Sequence, residues 1–124
     1  MSVDQYSFSW DADFMDRVPA PGGRLRISST TVGDRMIVPV VGEVDELTSP
    51  QLRAELLAAV ISGARCVEVD FTQVSFCDCS GLTALLSARR QAQEAGIRFG
   101  VSGPVTPVVE RLFSLTGVDA VLRS

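Results

Sequence analysis

A Val/Ile-rich run from Met36 to Val44 gives way within a few residues to Thr48-Ser49-Pro50-Gln51, a helix start. The same change from strand-like to helix-like sequence recurs twice more before the chain ends. This alternation limits the fold more than any other feature. Strands separated by helices need crossover connections, and those favour a mostly parallel sheet. At 124 residues the chain fits a single domain.

The individual elements follow from periodicity and breakers. Leu25 to Thr31 alternates apolar and polar residues and is expected to form a half-buried strand. Gly33-Asp34 is a turn, and Met36 to Val44 is a buried strand whose Pro39 implies an edge position or a bulge. At the first helix start, Pro50 suits the first turn, either hydroxyl can cap, and Thr48 with Gln51 matches a capping box. Leu52, Leu56, Ala59 and Val60 form its apolar stripe, and Gly63 ends it. A strand is expected over Cys66 to Phe71, with Thr72 to Ser75 as a short connection. A second helix is expected over Ser80 to Ala95, with Leu82, Leu85 and Leu86 facing inward. Ile97 to Ser102 is a fourth strand. Thr106-Pro107 opens a third helix with Val109, Leu112 and Phe113 as its core stripe, and Val118 to Leu122 is a short apolar tail that packs on the sheet. The expected class is therefore α/β, a small mixed sheet in the order β-β-α-β-α-β-α with helices chiefly on one face. The first two strands can form an antiparallel hairpin.

Residues 1–24 stand apart. They carry four aspartates and the breaker run Val18-Pro19-Ala20-Pro21-Gly22-Gly23, which implies a flexible acidic extension. They also carry Phe8 and Trp10 in alternation with polar residues, which would let the segment add an edge strand. The domain proper is expected over residues 25–124.

Composition narrows function. There is no histidine, and all 11 basic residues are arginines. Histidine bases, histidine metal ligands, lysine Schiff bases and lysine-dependent phosphate loops are thereby excluded. A net charge of -4 disfavours nucleic acid as a partner. No apolar stretch approaches the ~20 residues that span a bilayer, and the acidic N-terminus does not read as a secretory leader, so a cytoplasmic location is expected. Three cysteines do not make a disulfide framework, and no cofactor or metal is expected.

The most specific chemistry lies at Phe76-Cys77-Asp78-Cys79-Ser80-Gly81-Leu82, where the third expected strand turns into the second helix. Sites in open α/β sheets form at the carboxyl ends of strands. A helix start there presents free N–H groups that favour an anion. Asp78 can cap this helix, Cys79 and Ser80 lie in its first turn, and Gly81 lets another backbone approach. By residue type alone, an ordinary N-cap beside a core cysteine explains the segment equally well. A thiol at a helix start can be activated, but the neighbouring Asp78 opposes that, and Cys77-x-Cys79 is too close for an unstrained disulfide.

This segment, Gly42-Glu43-Val44-Asp45 and the closing Val108-Val109-Glu110-Arg111-Leu112-Phe113-Ser114-Leu115-Thr116-Gly117-Val118 together resemble the STAS domain of bacterial anti-sigma factor antagonists. The resemblance covers about Leu25 to Leu122. It implies a non-enzymatic interaction module that binds an anti-sigma factor and so releases a sigma factor for transcription; the oligomeric state is left open, with a monomer that pairs with its partner as the default expectation. The partner is often a serine/threonine kinase that phosphorylates the start of the second helix, and a phosphatase reverses this. The usual acceptor position, directly after the aspartate, is occupied here by Cys79, and Ser80 is the hydroxyl one place further on. Ser80 and Cys79 are accordingly the switch candidates, with Asp45, Asp78 and Gly81 on the partner surface. Two other readings accompany it: a STAS-like subunit of a lipid-transport ABC assembly, and a redox-sensing variant using Cys79.

Overall fold

The structure, a computed structural model, describes residues 24–123. Apart from Arg24, the acidic extension lies outside the described residues. The elements are β1 (Leu25–Ile27), β2 (Thr30–Val32), β3 (Arg35–Val44), α1 (Ser49–Val60), β4 (Cys66–Cys77), α2 (Cys79–Glu94), β5 (Arg98–Ser102), α3 (Pro107–Thr116) and α4 (Asp119–Leu122). They form one five-stranded sheet in the order β1-β3-β4-β5, with β2 also paired to β3. β3–β4 and β4–β5 are parallel, whereas β1 and β2 run antiparallel to β3. This is the mixed α/β arrangement that the sequence implies.

Two local differences have physical causes. The first expected strand is split into β1 and β2 around Ser28 and Ser29. Opposite the break sits Pro39: its carbonyl accepts from the Ser28 N–H at 3.2 Å, but it has no N–H to return. Pro39 thus lies on an interior strand, at one of two register shifts between β3 and β4. The second difference is that β4 continues through Thr72–Ser75 to Cys77. Its buried residues follow strict alternation through Phe71 and then skip to Val74 and Cys77. The second register shift, at Gly42/Glu43, lies alongside this stretch. The change of phase makes a continuous strand look like a loop.

The helices bury the expected stripes. Leu52, Leu56, Ala59 and Val60 of α1 and Leu82, Ala84, Leu85, Ala88 and Ala92 of α2 join the strand residues in one core. Leu86 is instead exposed. α1 packs against α2 as well as against the sheet. From α3, Val109 and Phe113 are buried, with Phe113 stacked on Phe71 at a ring separation of 6.4 Å. The Thr106 hydroxyl at the start of α3 donates to the Val74 carbonyl and pins the helix to β4. The apolar tail is the short helix α4, whose Leu122 is fully buried. No described helix is long and apolar enough to cross a membrane.

Candidate functional site

The parallel register pairs Val44 with Cys77, so β3 and β4 end side by side. One residue beyond that pair lie Asp45 and Asp78. The Asp78 N–H donates to the Val44 carbonyl at 3.1 Å, which ties the start of α2 to the end of β3. The sheet therefore brings the Gly42–Asp45 motif and the Asp78–Gly81 motif to one place.

Asp78 is the N-cap of α2, in extended backbone, and its side chain accepts from the N–H groups of Ser80 and Gly81. The same oxygen, Oδ1, accepts from the Ser80 hydroxyl at 2.5 Å. Ser80 is half-buried, and the preceding Cys79 is exposed at the first helical position. Cys77 is buried beneath them. Burial, and then the charges of Asp78 and Cys79, push its thiol up to about 12. A thiol held there stays protonated at neutral pH and is a poor nucleophile.

Gly81 is buried and contributes space rather than surface. A Cβ at this position would lie 2.5 Å from Cys77 Sγ and 2.7 Å from Val44 Cγ1. Its absence lets the first turn of α2 sit directly on the ends of β3 and β4.

Asp45 is more constrained than a solvated turn acid. Its Oδ1 accepts from the N–H groups of Leu47 and Thr48, at 2.9 and 3.0 Å. Its Oδ2 receives Arg24 at 2.6 Å, and Arg24 also reaches Glu43 at 2.7 Å. Burial pushes the carboxyl up, but Arg24 and the two backbone amides outweigh it and hold Asp45 below the usual carboxylate range. Thr48, the fully buried polar residue of the loop, donates to the Glu43 carbonyl and accepts from the Asp45 N–H. Its hydroxyl is thus used in the loop and does not cap α1, and Gln51 reaches the Leu25 carbonyl instead of closing a capping box.

Sequence reasoning missed Arg24, which it assigned to the extension. The hairpin register Leu25↔Gly42 places Arg24 opposite Glu43, so the pairing of β1 with β3 is the signal that finds it. It also missed the flanking apolar surface: Leu47 is 59% and Phe76 43% exposed, and both adjoin the acidic pair in sequence. Among the described residues there is no cluster of metal-ligating side chains.

The arrangement places two aspartates, an exposed thiol and the Ser80 hydroxyl together at the ends of β3 and β4. The profile of the family described as "Mlab, STAS domain" matches residues 27–123. An anti-sigma-B factor antagonist of Listeria monocytogenes is 29% identical over 93 residues, covering 73% of this chain and 78% of that protein. The solved anti-sigma factor antagonist from Mycobacterium paratuberculosis is 26% identical with a TM-score of 0.72, covering 79% of this chain and 82% of that one. The Bacillus cell fate determinant SpoIIAA, solved in its phosphorylated form, shares the fold with a TM-score of 0.61 at 23% identity, over 80% of this chain and 89% of its own. With the matched profile running from β1 to the end of α4 and through the Asp78–Gly81 segment, the chain belongs to the STAS-domain family.

Proposed function

We propose that this protein is an anti-sigma factor antagonist: a non-catalytic, cytoplasmic module that binds an anti-sigma factor and thereby frees a sigma factor. The observation that carries the reading is the Ser80 hydroxyl at the start of α2, held by Asp78 beside the end of β3. Asp78 and exposed Cys79 lie at the centre of the binding surface, Asp45 flanks it, and Gly81 sets the height of α2 beneath it. The match to the Listeria antagonist supports the partner class.

Ser80 is the phosphoacceptor of the switch. A kinase moves the γ-phosphoryl group of a nucleoside triphosphate onto Ser80 Oγ, the hydroxyl proton leaves, and the diphosphate departs. The product brings roughly -1.5 to -2 charges to the docking surface, next to Asp78, and lowers affinity for the partner. A phosphatase restores it by hydrolysis.

The test is a pull-down from the native host with reduced protein as bait, followed by intact-mass analysis with ATP. An anti-sigma factor is expected in the bound fraction, and one phosphoryl group is added when it is also a kinase. Ser80→Asp should weaken binding about tenfold or more, and Ser80→Ala should bind normally without accepting phosphate. A Ser80→Ala protein that is still fully phosphorylated refutes the acceptor assignment. Recovery of an ATPase and a permease instead replaces the sigma-factor reading with lipid transport.

A further inference from the structure

Between the first turns of α1 and α2 lies a cleft of about 280 Å³, lined by Ser49, Pro50, Arg53, Ser80, Thr83 and Ala84. Arg53 is the one charged side chain in that lining. It is exposed, and it makes no ion pair or side-chain hydrogen bond among the described residues. The unmodified Ser80 hydroxyl is turned to Asp78 by the hydrogen that it donates.

Phosphorylation removes that donor hydrogen. The phosphate and the Asp78 carboxylate are then two anions that repel at contact distance, so the phosphate must leave Asp78. On the cleft side, the exposed Arg53 of α1 lines the same cavity. We infer that Arg53 is the receptor for the phosphate on Ser80, closing the α1–α2 cleft over it and giving the phosphorylated protein a surface distinct from the free one. The planar guanidinium suits two phosphate oxygens at once. The bond joins α1, which follows the Asp45 loop, to α2, which carries Asp78 and Cys79. Modification at Ser80 would thereby couple α1 to α2 at the end that carries both aspartates. This inference rests on Ser80 as the modified residue.

The test uses the full chain with phosphoserine installed at position 80 during translation, so no kinase is needed. Phosphorus NMR follows the second ionisation of the phosphate, which lies near pH 6 in the free amino acid. The charged groups at the phosphate are Asp78, which raises that ionisation, and Arg53, which lowers it; the Cys79 thiol is the adjacent titratable neighbour. Replacing Arg53 by methionine should raise the midpoint by about half a pH unit, as expected for a partly exposed pair. Arg53→Lys should restore part of the shift. Arg90→Met, which removes the same charge from the exposed face of α2, should titrate like the parent. Superposable curves for the parent and Arg53→Met overturn the inference, as does an equal shift in Arg90→Met. If the cognate kinase leaves Ser80 unmodified, the acceptor assignment falls separately, and the titration still decides whether Arg53 senses a phosphate at that position.

Discussion

Replacing Gly81 by alanine tests whether close packing sets the start of α2 against the ends of β3 and β4. The backbone at Gly81 is ordinary helix, so no left-handed strain is involved. The effect comes from space. The added Cβ would sit 2.5 Å from Cys77 Sγ and 2.7 Å from Val44 Cγ1, inside any tolerated contact. Cys77 and Val44 are 3% and 0% exposed, so neither can swing into solvent. Overpacking a filled core costs ~1–3 kcal/mol. Alanine recovers up to ~1 kcal/mol through helix propensity, and less in a first turn. The net loss is therefore ~1–2 kcal/mol, a large share of a typical domain stability of ~5–15 kcal/mol. With a urea slope of about 1–1.5 kcal/mol/M, the midpoint should fall by about 1 M. Urea unfolding followed by circular dichroism measures this. Pairing the change with Val44→Ala removes one of the two obstructing side chains. The double variant should then be less destabilised than the sum of the single ones by ~1 kcal/mol. A Gly81→Ala protein as stable as the parent, or strictly additive behaviour, refutes the packing argument.

The Asp45 carboxyl is held below its unfolded value, so its contribution to stability is complete above that value of 3.8 and is lost as pH falls through the folded one. The Tm difference between the parent and Asp45→Asn should thus be constant above about pH 5 and shrink toward pH 2; a difference that persists unchanged in acid argues against the Arg24 bond as its source. At pH 8 a small alkylating agent should modify exposed Cys79 well before buried Cys77, whose thiol stands at about 12. Equal labelling of the two in native protein, mapped by mass spectrometry, would contradict the burial of Cys77.

What the sequence discloses and what it conceals divide along the range of the interactions. The Asp78 cap, the α2 stripe of Leu82 and Leu85, and the α1 stripe from Leu52 to Val60 are set by residues within a turn or two, and these are readable. The length of β4 is not, because its phase change after Phe71 is tolerated only where Gly42 and Glu43 shift register on the neighbouring strand. Pro39 is half readable: the bulge follows from the missing N–H, but its place on an interior strand depends on β1 and β2 both pairing with β3. At the site, Asp78 and Ser80 are visible as a local capping pattern. The bound state of Asp45 is hidden, because its partner Arg24 is 21 positions away and comes from a segment that reads as a tail. Arg53 is hidden for the same reason: on α1 it is one surface arginine, and only the packing of α1 on α2 brings it to the cleft that Ser80 also lines.

The Arg24 bridge also makes the proposed docking surface a competitive one. A basic group of a partner that approaches Asp45 Oδ2 competes with the guanidinium already bound there, which also links the start of β1 to Glu43. Thermodynamic reciprocity then applies: the partner loses the free energy with which Arg24 holds Asp45, and a bound partner weakens that hold by the same amount. Removing the competitor, as in Arg24→Ala, leaves Asp45 open to the partner but costs the loop its anchor. Affinity at the proposed surface is then a balance between an occupant from within the chain and one from outside it.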